Sequence, residues 1–187
     1  MANEVRWSFR LVNANDEAKE KLNKMIDKAN ERKQPDAYGA NFLDIFDNPE
    51  EVKSLGGIPK WNFIEDCEDG ELTGRSAWAA PEELFLEVMS ELVKVDPLVA
   101  AVVNYDDEYL DFAGCAGYFG PEEVASQYAD EEEIRDYVFN RLEEEQGTEP
   151  TDDEIDEWKW EYLSGLIDES LVTEELKKLV EEGSEVC

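Results

Sequence analysis

Carboxylates are the most abundant side chains in this sequence that could take part in chemistry. The chain holds 49 acidic and 17 basic residues and no histidine. The lack of histidine removes the commonest general base at neutral pH, the usual zinc ligand and any Ser-His-Asp or Cys-His arrangement. A pair of catalytic carboxylates would need one member with a raised pKa in an apolar cleft, and no spacing in the sequence selects such a pair. We therefore expect no enzyme activity, no catalytic residue and no cofactor.

Metal binding is the other chemistry that clustered carboxylates offer. Four acids lie together in a predicted hairpin: Asp106, Asp107, Glu108 and Asp111. Their oxygens could bind a divalent cation, but aspartate is also common in tight turns between strands. A second acidic run, residues 65–71, lacks the calcium-loop spacing, because Cys67 would occupy the third ligand position and Ser76 the twelfth. The sequence favours a turn at the hairpin and no metal site, with a bound cation there as the alternative.

The cysteines and the apolar runs indicate where the protein is kept. Cys67, Cys115 and Cys187 are isolated and odd in number, so the sequence supports neither a zinc site nor a disulfide framework. The amino terminus lacks the basic-then-apolar layout of a signal peptide. The longest apolar run, residues 97–103, is far shorter than the ~20 residues that span a bilayer. These features predict a cytoplasmic protein with thiols in a reducing compartment.

The first 120 residues predict alternating strands and helices. Residues 5–11 alternate apolar and polar side chains, as a half-buried strand does, and Asn15 caps the amphipathic helix that follows. Two hairpins are predicted from paired apolar runs, one turning at Asp69-Gly70 and one at residues 106–108. Between them, Pro81 marks the first turn of another amphipathic helix. This order predicts an α+β fold, in which an antiparallel ferredoxin-like sheet carries helices on one face.

The composition changes after residue 120. Residues 121–187 contain 24 acidic and five basic side chains, a net charge of −19, so a third of the chain carries over half of the charge. Their apolar residues recur with helical periodicity in three segments, and Thr151 begins a capping box. We predict two domains: an α+β domain over residues 1–120, and an acidic helical extension over residues 121–187 that packs on it.

Several landmarks of the first domain resemble the YubB-like domains of phages and plasmids. They are Lys60-Trp61-Asn62, Ala77-Trp78 followed by Pro81, and the run from Tyr105 to Asp111-Phe112-Ala113-Gly114. The resemblance covers residues 5–118 and departs from the family at Ile58-Pro59. It implies a ferredoxin-like fold and an origin in a mobile element such as a phage, with no enzymatic chemistry to carry over. Residues 121–187 look like an addition to the family.

The acids of the extension suggest a target. An acidic surface repels nucleic acids and anionic membranes, but it attracts basic proteins. Duplex DNA carries one charge per ~1.7 Å of its axis, and a helix rises ~1.5 Å per residue. Carboxylates on an ordered helix therefore reach phosphate-like separations. The predicted partner-binding residues are Glu122, Glu123, Asp130, Glu131, Glu132, Glu133, Glu143, Glu144, Glu145, Asp152, Asp153, Asp156, Glu157, Trp160 and Glu161.

The function that this sequence favours is that of a phage-encoded DNA mimic. It would bind the basic surface of a host nucleic-acid-binding protein, as an anti-CRISPR, anti-restriction or other anti-defence inhibitor. Trp160 would be either a packing contact with the first domain or an exposed anchor. The alternatives are a protein–protein interaction or scaffold module without mimicry, and an acidic surface that is only solvated or adapted to salt. Oligomeric state stays open, since the sheet edge or Cys187 could join two copies.

Overall fold

The structure, a computed structural model, describes residues 3–35, 37–68 and 70–186. Within these ranges the strands are β1 (Glu4–Asn13), β2 (Ala40–Asn41), β3 (Asn62–Glu68), β4 (Glu71–Ala77), β5 (Ala100–Asp107), β6 (Phe112–Phe119) and β7 (Glu122–Asp130). The helices are α1 (Asp16–Arg32), α2 (Pro49–Lys53), α3 (Glu82–Leu92), α4 (Glu131–Gln146), α5 (Asp152–Leu166) and α6 (Glu169–Val186). Both predicted hairpins and both predicted helices of the first 120 residues are confirmed. Asp69 of the first turn and Cys187 lie outside the described residues.

The seven strands form one antiparallel sheet, so the fold is α+β as predicted. The strand order is β2-β3-β4-β1-β5-β6-β7, and each neighbouring pair runs antiparallel. The central strand, β1, pairs along most of its length with both β4 and β5. The sheet therefore connects elements from both halves of the sequence.

The main core lies on one face of the sheet, under α1 and α3. Alternate residues of β1 point into it, and Val5, Trp7 and Phe9 are almost fully buried. The Trp7 ring stacks on Phe42 at 5.1 Å and meets Phe85 of α3 edge-on at 5.3 Å. Aromatic pairs at these distances add stability beyond the area that they bury. This face is the one that the sequence predicts to carry helices.

The opposite face is covered over β5, β6 and β7 by α6. Val172 and Leu176 of α6 are buried against Val102 and Cys115. The prediction of helices on one face only is therefore incomplete. Because β5 and β6 are apolar on both faces, both faces of these strands need helices over them. Among the described residues, no helix is both long and apolar enough to cross a membrane.

The acidic helical extension predicted over residues 121–187 begins with a strand and not with a helix. Glu122 to Asp130 form β7, which pairs with β6 from Phe112 to Phe119. The predicted boundary at residue 120 therefore falls between two paired strands of one sheet. The three helices expected in the rest of the segment, α4, α5 and α6, are present.

Candidate partner-binding surface

Two capped helices position most of the predicted partner-binding acids. The Asp130 side chain accepts a hydrogen bond from the Glu133 amide at 3.0 Å, and the Glu133 carboxylate accepts one in return from the Asp130 amide. Thr151 and Glu154 form the same capping box at the start of α5. Each box satisfies amides that a helix end leaves free. The capping boxes therefore hold the first turns of α4 and α5, which carry several of the predicted acids.

A salt bridge joins α4 to the start of α5. The Arg135 guanidinium of α4 is 2.7 Å from the Asp152 carboxylate and 3.6 Å from that of Asp156, both in α5. On the inner side, Val138 of α4 packs against Ile155 of α5. Acids from two helices are therefore held on one rigid surface, which we call the α4–α5 acidic surface and define as residues 130–133, 152–157, 160 and 161.

The predicted partner-binding residues are all exposed, but only some of them form salt bridges or side-chain hydrogen bonds. Asp130 and Glu133 serve the capping box, and Asp152, Asp156, Glu144 and Glu145 lie within 4 Å of Arg135, Arg141 or Lys159. Within the described ranges, the other eight carboxylates have neither a salt bridge nor a side-chain hydrogen bond. They are Glu122, Glu123, Glu131, Glu132, Glu143, Asp153, Glu157 and Glu161.

Two groups of predicted residues lie away from this surface. Glu122 and Glu123 begin β7, at the opposite end of that strand from Asp130. Glu143 to Glu145 end α4, which places them roughly 18 Å along the helix axis from Glu131. One continuous ladder over all fifteen residues, as the sequence suggests, is therefore not formed.

Trp160 contacts the sheet and is also exposed. Its ring lies under the Arg6 guanidinium of β1, with 4.5 Å between the charge centre and the ring centroid, and 47% of the residue stays accessible. Arg6 in turn pairs with Asp106 at 2.6 Å. Trp160 is therefore a packing contact with the sheet that also keeps an exposed side. Trp158, predicted to be core, is partly buried against Tyr162.

The acidic hairpin borders the same surface. A cleft of about 540 Å³ lies between the β5–β6 turn and α5, and its lining includes Glu108, Tyr109, Asp111, Asp156 and Trp160. Burial and the neighbouring Asp107 and Glu131 raise the pKa of the Asp111 carboxyl. Crowded carboxylates raise one another's pKa, and a cation close to them would lower it again.

The hairpin acids themselves behave as turn residues. Asp107 is completely buried, and its carboxylate accepts hydrogen bonds from the Tyr109 and Asp111 amides at 3.2 and 2.6 Å. Asp106 pairs with Arg6, although burial still raises its pKa. No group of three or more acids or cysteines with a metal-binding arrangement occurs among the described residues. These hydrogen bonds form the turn that the sequence favours.

Basic side chains are already engaged by carboxylates. At least twelve of the 17 lysines and arginines lie within 4 Å of an acid. Arg6, Arg10 and Arg75 lie on the sheet face that also carries α6, and each is paired, Arg10 with Glu169 of α6. The surface therefore offers carboxylates rather than cations to a partner.

Among the exposed tyrosines that sequence reasoning missed, two lie on the same side of the molecule as the predicted acids, in the β5–β6 turn and in β7. Tyr109 at the hairpin tip and Tyr128 in β7 are each 58% exposed. Tyr109 lies within the acidic run 106–111, and an aromatic ring in so polar a turn could have been recognised from the sequence as exposed. Tyr128 had no such sign, because its exposure follows from β7 being an edge strand.

Comparison of the chain with family models, with curated proteins and with solved structures gave no match.

Proposed function

We propose that the protein is an acidic mimic of DNA that binds the basic surface of a nucleic-acid-binding protein and inhibits it. The observation that carries the proposal is the α4–α5 acidic surface, on two capped helices joined by Arg135. Four of its carboxylates have no ionic partner in the part of the chain that the structure describes: Glu131, Glu132, Asp153 and Glu157. Ordered charge costs a partner less entropy to bind than charge on a flexible tail.

The spacing of these acids supports mimicry over a merely solvated surface. Residues one turn apart on a helix are ~6 Å apart along the axis, which is close to the distance between neighbouring phosphates on one strand. Asp153 and Glu157 have this separation on α5. A basic groove that releases counterions when it binds DNA would gain in the same way from this surface.

The fold and the origin of the protein form part of the same proposal. The order β3-β4-β1-β5, with α1 after β1 and α3 after β4, supports a ferredoxin-like unit to which β6, β7 and the last three helices are added. The landmarks similar to YubB-like domains support a phage or plasmid origin. We accordingly propose that the target is a host defence protein, such as a restriction enzyme or a CRISPR effector, met in the cytoplasm.

The proposal is tested by inhibition of purified DNA-binding enzymes across a salt series. A restriction enzyme, a CRISPR effector and a non-specific nuclease are each assayed with the protein and with competing duplex DNA. We expect inhibition of one class that duplex DNA relieves, and an affinity that falls about tenfold or more between 50 and 200 mM salt. Inhibition that ignores both DNA and salt would contradict mimicry and favour an interaction module.

Matched charge variants locate the surface. The test variant neutralises four acids of the α4–α5 acidic surface that have no partner among the described residues: Glu132→Gln, Asp153→Asn, Glu157→Gln and Glu161→Gln. The control variant changes net charge equally on the first half of the chain: Glu17→Gln, Asp27→Asn, Glu31→Gln and Glu68→Gln. Affinity should fall at least tenfold in the first variant and stay within about threefold in the second. Equal losses would mean that overall charge, and not this surface, is recognised.

A further inference from the structure

The strand β7 leaves one edge of the sheet open. It is the last strand in the sheet order and has nine residues, whereas the strand at the other edge, β2, has two. Apart from the pairing with β6, no backbone–backbone hydrogen bond of residues 122–130 occurs within the described ranges. An unpaired edge of this length is a template for another strand.

A row of aromatic rings leads across the sheet to this edge. Tyr105 of β5 and Tyr128 of β7 both stand opposite Gly114 of β6, so all three residues are on one face. Phe112 lies between the two tyrosine rings, with 6.3 Å from its centroid to each. A Cβ atom at Gly114 would come within 2.4 Å of the Tyr105 ring, so only glycine permits this arrangement. The row ends at the exposed Tyr128.

Carboxylates border the aromatic row. Burial, Glu123 and Glu83 raise the pKa of the Glu82 carboxyl at the start of α3. Burial and then Glu82 and Glu123 raise the pKa of Tyr105 to about 12. The hydroxyl of Tyr118, which is completely buried, has no hydrogen-bond partner in the described part of the chain. A cationic N–H donor of a partner, placed at the rim of the row, would pair with the crowded acids.

We propose that the β7 edge and the aromatic row bind an extended basic segment of a partner protein, which pairs with β7 as an eighth strand. Backbone pairing supplies affinity, and the row with its acids selects arginine or lysine at alternate positions. This proposal does not depend on the α4–α5 acidic surface and stands if mimicry fails.

A second copy of the chain is the less favourable occupant. Antiparallel pairing of two β7 strands about Ser126 would place Glu122 of each copy opposite Asp130 of the other. Like charges directly opposite one another destabilise a strand pair, and both copies carry a charge of −32. A basic strand has the opposite effect at the same two positions.

The test uses an eight-residue peptide of alternating arginine and valine, with a fully N-methylated peptide of the same sequence as its control. Binding is followed on the full chain by amide hydrogen exchange and by NMR titration. We expect the unmethylated peptide to slow exchange in residues 125–129 at least tenfold, and the control, which donates no backbone N–H, to bind at least tenfold more weakly. Equal binding of the two peptides, or protection elsewhere only, would overturn the proposal.

Two tyrosine variants separate this site from general attraction to negative charge. Tyr128→Ala should weaken peptide binding about tenfold, whereas Tyr109→Ala, a tyrosine of equal exposure at the hairpin tip, should leave it unchanged. An unchanged affinity in Tyr128→Ala would overturn the proposal. So would a monomer–dimer equilibrium that protects the β7 amides in the absence of peptide, because the occupant would then be a second copy.

Discussion

Asp107 shows how a single carboxylate shapes the hairpin beside the candidate surface. It is buried, and besides the two turn amides its second oxygen accepts a hydrogen bond from the Asn3 side chain at 3.2 Å. The turn that it holds includes Leu110, a buried residue with a φ of 54°. Left-handed φ values are unfavourable for residues other than glycine. Burial of the Leu110 side chain and the bonds to Asp107 offset this cost.

We predict that Asp107→Ala destabilises the protein by about 1–3 kcal/mol, because it leaves the amides of Tyr109 and Asp111 without acceptors. Chemical denaturation measures the change. The exposed Glu31→Ala on α1, whose side chain makes no hydrogen bond within the described ranges, is the control and should shift stability by no more than about 0.5 kcal/mol. A rise in melting temperature with calcium that occurs in the unaltered protein and is lost in Asp111→Asn would contradict this assignment, since it would locate a bound ion at these acids.

Local residue motifs were predictable where one side chain meets its own backbone. Asn15 accepts a hydrogen bond from the Ala18 amide at 2.8 Å, and the Thr151 box forms as its spacing indicates. The same spacing rule applies to Asp130 and Glu133, but in so acidic a run their capping role was hidden among residues of the same type. Asp107 was foreseen as a turn residue, whereas its burial depends on Asn3, which is distant in sequence.

At the scale of elements, the contact of α6 with β6 depends on Gly117. A Cβ atom built there would lie 2.6 Å from Val172 Cγ1 and 3.2 Å from Leu176 Cδ1. Real Cβ atoms do not approach carbon so closely, so the helix can rest at this distance only against glycine. The close approach holds the last acidic helix on the second face of the sheet.

We predict that Gly117→Ala destabilises the protein by about 1–3 kcal/mol through overpacking, although alanine in a strand interior would otherwise be favourable by about 0.5–1 kcal/mol. Hydrogen exchange should become faster in α6 and stay unchanged in α1. Adding Val172→Ala removes the clashing methyl group and should restore most of the loss. A double variant no more stable than Gly117→Ala would show that the helix is held elsewhere.

Element types were predicted well where apolar periodicity was strong and poorly where charge dominated. The buried positions of α1, such as Leu22 and Ile26, follow the predicted stripe. For β7 the acids at both ends suggested continuation of the helical segment. Its apolar residues, Val124, Ala125, Tyr128 and Ala129, do not alternate strictly with polar ones. Its strand conformation is set by pairing with β6, a contact that no local pattern reveals.

Over the whole molecule, acidic and basic side chains differ in how many of them form ion pairs. Basic residues lie mostly in ion pairs, while many acids of the last 67 residues have no partner within the described ranges. The excess of carboxylates lowers the stability of the compact state through repulsion. The exposed ion pairs do not offset this repulsion, because each contributes little to stability. The sequence predicted this excess, but its division between the α4–α5 acidic surface and the start of β7 required the fold.

The pH dependence of stability should show this repulsion. Burial raises the pKa of Glu82, Asp106 and Asp111. The folded state therefore takes up protons before the unfolded state does as the pH falls from 7. Stability should rise on this path, because each such group stabilises the fold most when it is protonated.

Below the ordinary carboxyl pKa the sign reverses. Hydrogen bonds from Lys94 and Lys21 lower the pKa of Glu91, and the Thr151 amide lowers that of Glu154. These groups stabilise the fold only while ionised, so stability is lost as the pH falls through their folded pKa values. We predict a maximum melting temperature at about pH 5. Glu82→Gln should reduce the rise from pH 7 to that maximum, and Glu31→Gln on α1 should not. A melting temperature that falls steadily from pH 7 downward would show that the lowered carboxyls, and not the crowded ones, govern stability.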